Sequence, residues 1–164
     1  MKTSHVLFAL SAGAATLASL PLAAQSASEP SAYQKPHIQH DAYGNMNIVV
    51  PLTSDDKAVQ GMKLHNLENT LTVLHDWGGK AHSVVVLYGK GVSLLKNPDA
   101  EMQQKISALK KDGVQFDVCN NTLKEQDIDF HTLYQVRDQD IVPSGFAEVA
   151  YLQSRKHYVI DSAN

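Results

Sequence analysis

Val84-Val85-Val86-Leu87-Tyr88, closed by Gly89-Lys90-Gly91, is the stretch on which the fold turns. It has no polar residue at alternate positions, so neither face is left for water. That is how a strand covered on both sides of a parallel sheet reads, and we take it as the central strand. Parallel neighbours are joined by crossovers of a dozen residues or more, usually helical. Helices and strands should therefore alternate on either side of it.

Upstream, Asn47-Ile48-Val49-Val50 is a β-branched run read as the first strand, expected to end at Pro51, where the missing amide hydrogen interrupts a ladder. Thr53, Ser54, Asp55 and Asp56 supply caps for a long helix with Val59, Met62, Leu67, Leu71 and Leu74 at helical spacing, stopped by Gly78-Gly79. Downstream, the apolar piece Val92 to Leu95 precedes Asn97-Pro98-Asp99, which opens a second helix with Pro98 at its first position. Met102, Ile106 and Leu109 form its buried stripe, and Gly113 after Lys110-Lys111 ends it.

The third strand, Val114 to Cys119, alternates, with Val114, Phe116 and Val118 on one face and Gln115, Asp117 and Cys119 on a more polar one. Thr122 and Glu125 have capping-box spacing for a short helix just beyond it. Ile141-Val142 makes a fourth strand. Pro143-Ser144-Gly145 opens a last helix that carries Phe146, Val149 and Ala150 inward, and Tyr158-Val159-Ile160 closes the set. The class is α/β, with helices on both faces of a mainly parallel sheet of about five strands.

The chain has 164 residues, 43% hydrophobic and 19% charged, the balance of one globular core. Its start reads as a signal peptide: Lys2, an apolar run from Val6 to Ala24, then the small-residue stretch Ala23-Ala24-Gln25-Ser26-Ala27-Ser28. An uncleaved anchor is the competing reading, opposed by the mild hydrophobicity of the run and by Pro21. The expected organisation is 1–26 signal peptide, 27–44 extended polar arm, and 45–164 domain, exported, with the periplasm as its place. A net charge of -3 without a basic cluster argues against nucleic acid, and against a membrane partner once the signal is removed.

Chemistry is expected at the carboxyl ends of the strands. That edge gathers Asp55, Gly89, Cys119 with Asn120, Asn121 and Thr122, and Ser144 with Gly145. Cys119 is alone in the chain, so it is buried, paired between chains, or used. A helix start nearby favours its thiolate, and Asp117 opposes it. Equally, a free cysteine packs as a small hydrophobe. Ser144-Gly145 reads either as an anion site or as a plain cap. Eight histidines are present, but His37 and His40 lie in the polar arm, His65 and His75 lack a ligand spacing, no Cys or acidic partner completes a set, and neither a metal nor another cofactor is expected.

The segments Leu67-Glu68-Asn69 to Leu74, Val84 to Gly91 with Leu94-Leu95, Cys119-Asn120-Asn121-Thr122, and Val142-Pro143-Ser144-Gly145 with Glu148 and Leu152 together resemble the DsrE/DsrF-like family over most of residues 46–161. The resemblance implies a three-layer α/β/α sandwich, assembly into homo-oligomers, and sulfur carried as a persulfide on the cysteine at Cys119. Since this chain reads as exported, whereas the well-understood members of the family are cytoplasmic, the partner expected is an exported sulfur donor or acceptor protein. The alternative is a non-catalytic module that binds a small anionic or sulfur-containing ligand, or serves as a structural partner, with Cys119 as packing.

Overall fold

The computed structural model describes residues 32–161. The segment read as a signal peptide, and the first residues of the polar arm, lie outside the described residues. Internal contacts divide the chain between His37 and Ile38. Of the first unit, residues 32–37 are described and carry neither helix nor strand.

The second unit carries a sheet with the order β4-β3-β2-β1-β5, every pairing parallel. Its strands are β1 (Gly44–Leu52), β2 (Gly79–Leu87), β3 (Gln115–Cys119), β4 (Ile141–Val142) and β5 (Val159–Ile160). Its helices are α1 (Lys57–Asp76), α2 (Ala100–Lys111), α3 (Asn120–Glu125) and α4 (Gly145–Lys156). From β1 to β4 the chain steps across the sheet in one direction, and right-handed crossovers put α1, α2 and α3 on one face. It then turns back to β5 beside β1, which puts α4 on the other face. The result is the α/β/α sandwich with β2 in the middle.

The unbroken apolar run of β2 now has its reason. Val85 and Leu87 join Val50, Leu52, Leu64, Leu67, Ile106, Phe116 and Val118 in one core, while Val84 and Val86 join Val49, Val149, Leu152 and Tyr158 in the other. Each consecutive residue serves a different helix layer.

Several details differ from the sequence reading. β1 runs through Pro51, which lies in register with Val86. The Val49 carbonyl accepts from Asp161 N–H, so the same edge two residues on, at Pro51, points past the end of β5, where no amide hydrogen is needed. The second helix starts at Ala100 with Asp99 as its cap, Asp99 Oδ1 accepting from Met102 N–H at 3.0 Å, so Pro98 stands before the helix. Thr122 is no cap, because α3 begins directly at the end of β3. Met62, Phe146 and Ala150, expected inside, are exposed. α4 meets the sheet chiefly through Val149 and Leu152, and that narrow stripe leaves its first turn half in solvent.

Beyond β2, a 3₁₀ helix (Gly89–Leu95) folds back over β1. A β-carbon at Gly91 would stand 1.8 Å from the Leu52 carbonyl oxygen. Gly91→Ala should therefore cost about 3 kcal/mol by overpacking against backbone. Gly61→Ala, in α1 with nothing within 4 Å of the added carbon, should instead add about 0.5–1 kcal/mol from helix propensity. Urea midpoints of the two variants check this, and a Gly91→Ala midpoint equal to the parent's would remove the close approach.

Candidate functional site

The loop after β3 turns to one face of the sheet, and the loop after β4 turns to the other. Adjacent strands whose exits diverge in this way open a crevice at their carboxyl ends, the topological switch point of an open α/β sheet. Cys119, the last residue of β3, pairs in register with Val142, the last of β4, and so stands at that point.

The thiol lies on the α4 face and is only 4% exposed. The face read as the more polar one is thus a covered face, with α4 over it. Burial pushes the Cys119 pKa up, but the Gly145 backbone N–H, the Thr122 hydroxyl and the backbone N–H groups of Thr122 and Asn121 donate to the sulfur and bring it below the ordinary thiol value. Three of these donors come from the start of α3 and one from the start of α4. Two helix beginnings converge on one sulfur from opposite layers.

Two further contacts hold the donors in place. Gly89 N–H donates to Thr122 Oγ1 at 2.9 Å, which occupies a lone pair of that oxygen and leaves its proton for the sulfur. Gln126 Nε2 in turn donates to the Gly89 carbonyl at 2.9 Å. Gly89 has φ +55°, a conformation that glycine adopts without cost. Gly145 is needed for a different reason: a β-carbon there would stand 2.8 Å from Tyr88 Cβ.

Of the residues singled out by sequence, Cys119, Asn121, Thr122, Gly89 and Gly145 are brought together. Asn120 opens α3 beside them. Ser144 is the cap of α4, its Oγ accepting from Ala147 N–H at 3.4 Å. Asp55 is engaged elsewhere, with Lys90 Nζ at 3.5 Å across exposed surface. Among the described residues no group of three or more His, Cys, Asp or Glu is placed to hold a metal ion.

The sequence reading missed an acid cluster centred two residues before the thiol on the same strand. Asp117 precedes Cys119 by two residues on the same face and is pushed up to about 6 by burial, then by Glu148 of α4 and by Asp140. Tyr158 is raised by its own burial and by the Asp117 charge, and its hydroxyl contacts His82 Nδ1. Only the pairing of β3 with α4 brings Asp117 and Glu148 together, and no spacing of the two along the chain announces it.

A family model described as the DsrE/DsrF-like family matches residues 46–161. Comparison with curated proteins gives no match. Among solved structures, a protein of unknown function from Methanobacterium thermoautotrophicum is similar at TM-score 0.61 and 24% identity, over 71% of this chain and 97% of that one. A conserved protein of unknown function from Bacteroides thetaiotaomicron is similar at TM-score 0.50 and 18% identity, over 70% and 91% of the two chains. At these identities the two likenesses speak for the fold alone.

The Asp117 shift has a measurable sign. The unfolded chain releases that proton near the ordinary value of about 3.9, while the folded chain holds it until about 6. Folding therefore loses stability as pH rises between those values, and the loss persists above them. The shift caps the penalty at about 3 kcal/mol, and solvent screening of this half-buried carboxyl brings it nearer to ~1 kcal/mol. Asp117→Asn should raise the melting temperature by about 3 °C at pH 7 and leave it unchanged at pH 4. A gain of equal size at both pH values would show that the carboxylate charge is not its source.

Proposed function

The chain belongs to the DsrE/DsrF-like family, a family generally linked to sulfur relay, and on that premise we propose that it carries sulfur as a persulfide on Cys119. The observation that carries the reading is the set of four donors aimed at one buried sulfur. Such a set favours the anion, which is the attacking form of a thiol and equally the form in which a persulfide is held. An inert core cysteine has no use for it.

The step needs no oxidant. The thiolate of Cys119 attacks the terminal sulfur of a donor R–S–SH, the new S–S bond forms as the old one breaks, and its electron pair leaves with the donor sulfur. The proton of the donor ends on R–SH, and Cys119 is left as a persulfide anion. Its low exposure protects such a group from further oxidation, which matters in the exported setting that the first residues suggest. We place its action in the periplasm, with an exported sulfur donor or acceptor as partner. The protein is further proposed to assemble with copies of itself, in keeping with Val159 of the edge strand β5, 59% exposed, and Tyr151 of α4, 46% exposed. A sedimentation profile with a single monomeric species at every concentration would remove this last part.

The same burial favours a second reading, a ligand-binding or structural module in which Cys119 is packing. Alkylation of the reduced native protein across pH separates the two. The carrier reading expects a half-maximal rate below the ordinary thiol value near 8.5. Thr122→Val should move that midpoint up, because it removes one of the donors that favour the thiolate. Intact mass should show one sulfur added from a persulfide donor, and none in Cys119→Ser. If the thiol reacts only in denaturant, the carrier reading fails and packing is its role.

A further inference from the structure

A cleft of about 650 Å³ opens at the carboxyl ends of β1 and β2 with Phe146 on its rim, but its lining does not include Cys119. The sulfur answers instead to the chain packed around it. One of its donors, the Thr122 hydroxyl, belongs to a closed ring of hydrogen bonds that reaches the surface.

Three contacts close the ring: Gln126 N–H donates to the Thr122 carbonyl at 3.0 Å, Gln126 Nε2 to the Gly89 carbonyl at 2.9 Å, and Gly89 N–H to Thr122 Oγ1 at 2.9 Å. The ring starts and ends on Thr122. That residue is buried, whereas Gly89 and Gln126 are exposed.

Gly89 is the member least able to hold its own place. It has no side chain, its φ is +55°, and a β-carbon there would meet nothing within 4 Å, so packing does not fix its backbone. The peptide group before it is held by the Gly91 N–H, which donates to the Tyr88 carbonyl at 3.1 Å. The carbonyl after it is held by Gln126. Gln126 itself springs from a fixed point, because α3 ends there. Asp127 takes φ +51°, Ile128 N–H donates back to the Leu123 carbonyl at 2.9 Å, and Ile128 packs on the core.

The threonine hydroxyl has one proton and can turn it. With Gly89 N–H on its oxygen, the proton is left for the sulfur. Without Gly89, the hydroxyl is free to bond a backbone carbonyl one turn back, as threonine in helices commonly does, and the sulfur loses a donor.

We propose that Gln126 is a positioning residue for the Cys119 chemistry: by holding the Gly89 carbonyl it keeps the Gly89 N–H on Thr122 Oγ1, and so keeps the Thr122 hydroxyl aimed at the sulfur. The inference rests on the carrier reading and adds to it a residue outside the four donors.

The test is a double-mutant cycle read by the pH midpoint of Cys119 alkylation, with iodoacetamide on the reduced native chain. Gln126→Met removes the amide, keeps the length of the side chain and changes an exposed position, so the fold tolerates it. In the parent it should raise the midpoint, by less than Thr122→Val does, because it loosens the aim of a donor that valine removes outright. In the Thr122→Val background no hydroxyl remains to be aimed, and Gln126→Met should add nothing. In Thr122→Ser, which keeps the hydroxyl, it should raise the midpoint as it does in the parent. A general loosening of α3 would instead move the midpoint alike in all three backgrounds. A Gln126→Met midpoint equal to the parent's, or the same rise with and without the Thr122 hydroxyl, overturns the inference while the carrier reading stands. A parent thiol that reacts only in denaturant removes the carrier reading and the inference with it.

Discussion

Gly145 rests on the ring and β-carbon of Tyr88 with no space for a side chain of its own. That approach sets how closely the start of α4 can lie to the sheet, and much of the candidate site depends on it. It delivers the Gly145 N–H to the sulfur of Cys119. It also leaves Phe146, the next residue, on the cleft rim. A residue with a β-carbon at this position would lift the first turn of α4 by several tenths of an ångström, and hydrogen bonds to sulfur weaken steeply over such distances.

The thiol environment balances opposed effects. Removing Cys119 from water disfavours its anion, and the four donors outweigh that cost because they are backbone amides and a hydroxyl already aimed by the fold. Thr122 is a clear case: its oxygen accepts from Gly89, so the hydroxyl proton has one direction left. Asp117, on the same strand and face, meets the opposite outcome. It is buried without comparable donors and lies near two other acids, so its proton is held to about pH 6. Two residues apart on one strand, one acid is made stronger and the other weaker.

The two faces of the sheet divide the labour. The face under α1, α2 and α3 is the larger core, and it supplies rigidity. The other face is covered by α4 alone and by a smaller cluster, so its margins are where the cleft, the acid cluster and the exposed apolar side chains occur. Chain reversal after β4 produces both this uneven covering and the switch point at Cys119. The site and its partly open surroundings therefore have one topological cause.

By itself, the sequence determined the class of fold and the identity of the central strand, because the run Val84 to Leu87 can be buried only between two layers. It also placed Cys119, Gly89 and Gly145 on one edge, since strand ends and glycine turns are local features. It misjudged Phe146 and Ala150, whose helical spacing matched a core stripe but whose layer is only one helix wide. It read Thr122 as a cap, whereas its hydroxyl donates to the sulfur three residues back and accepts from Gly89 across the fold. The direction of the Cys119 pKa shift, left open by the chain alone, depends on Gly145, 26 positions away in sequence, as well as on the local donors Asn121 and Thr122. Local patterns report which backbone a segment prefers. The charge state of a buried group depends on which distant donors and acids the packed layers bring beside it.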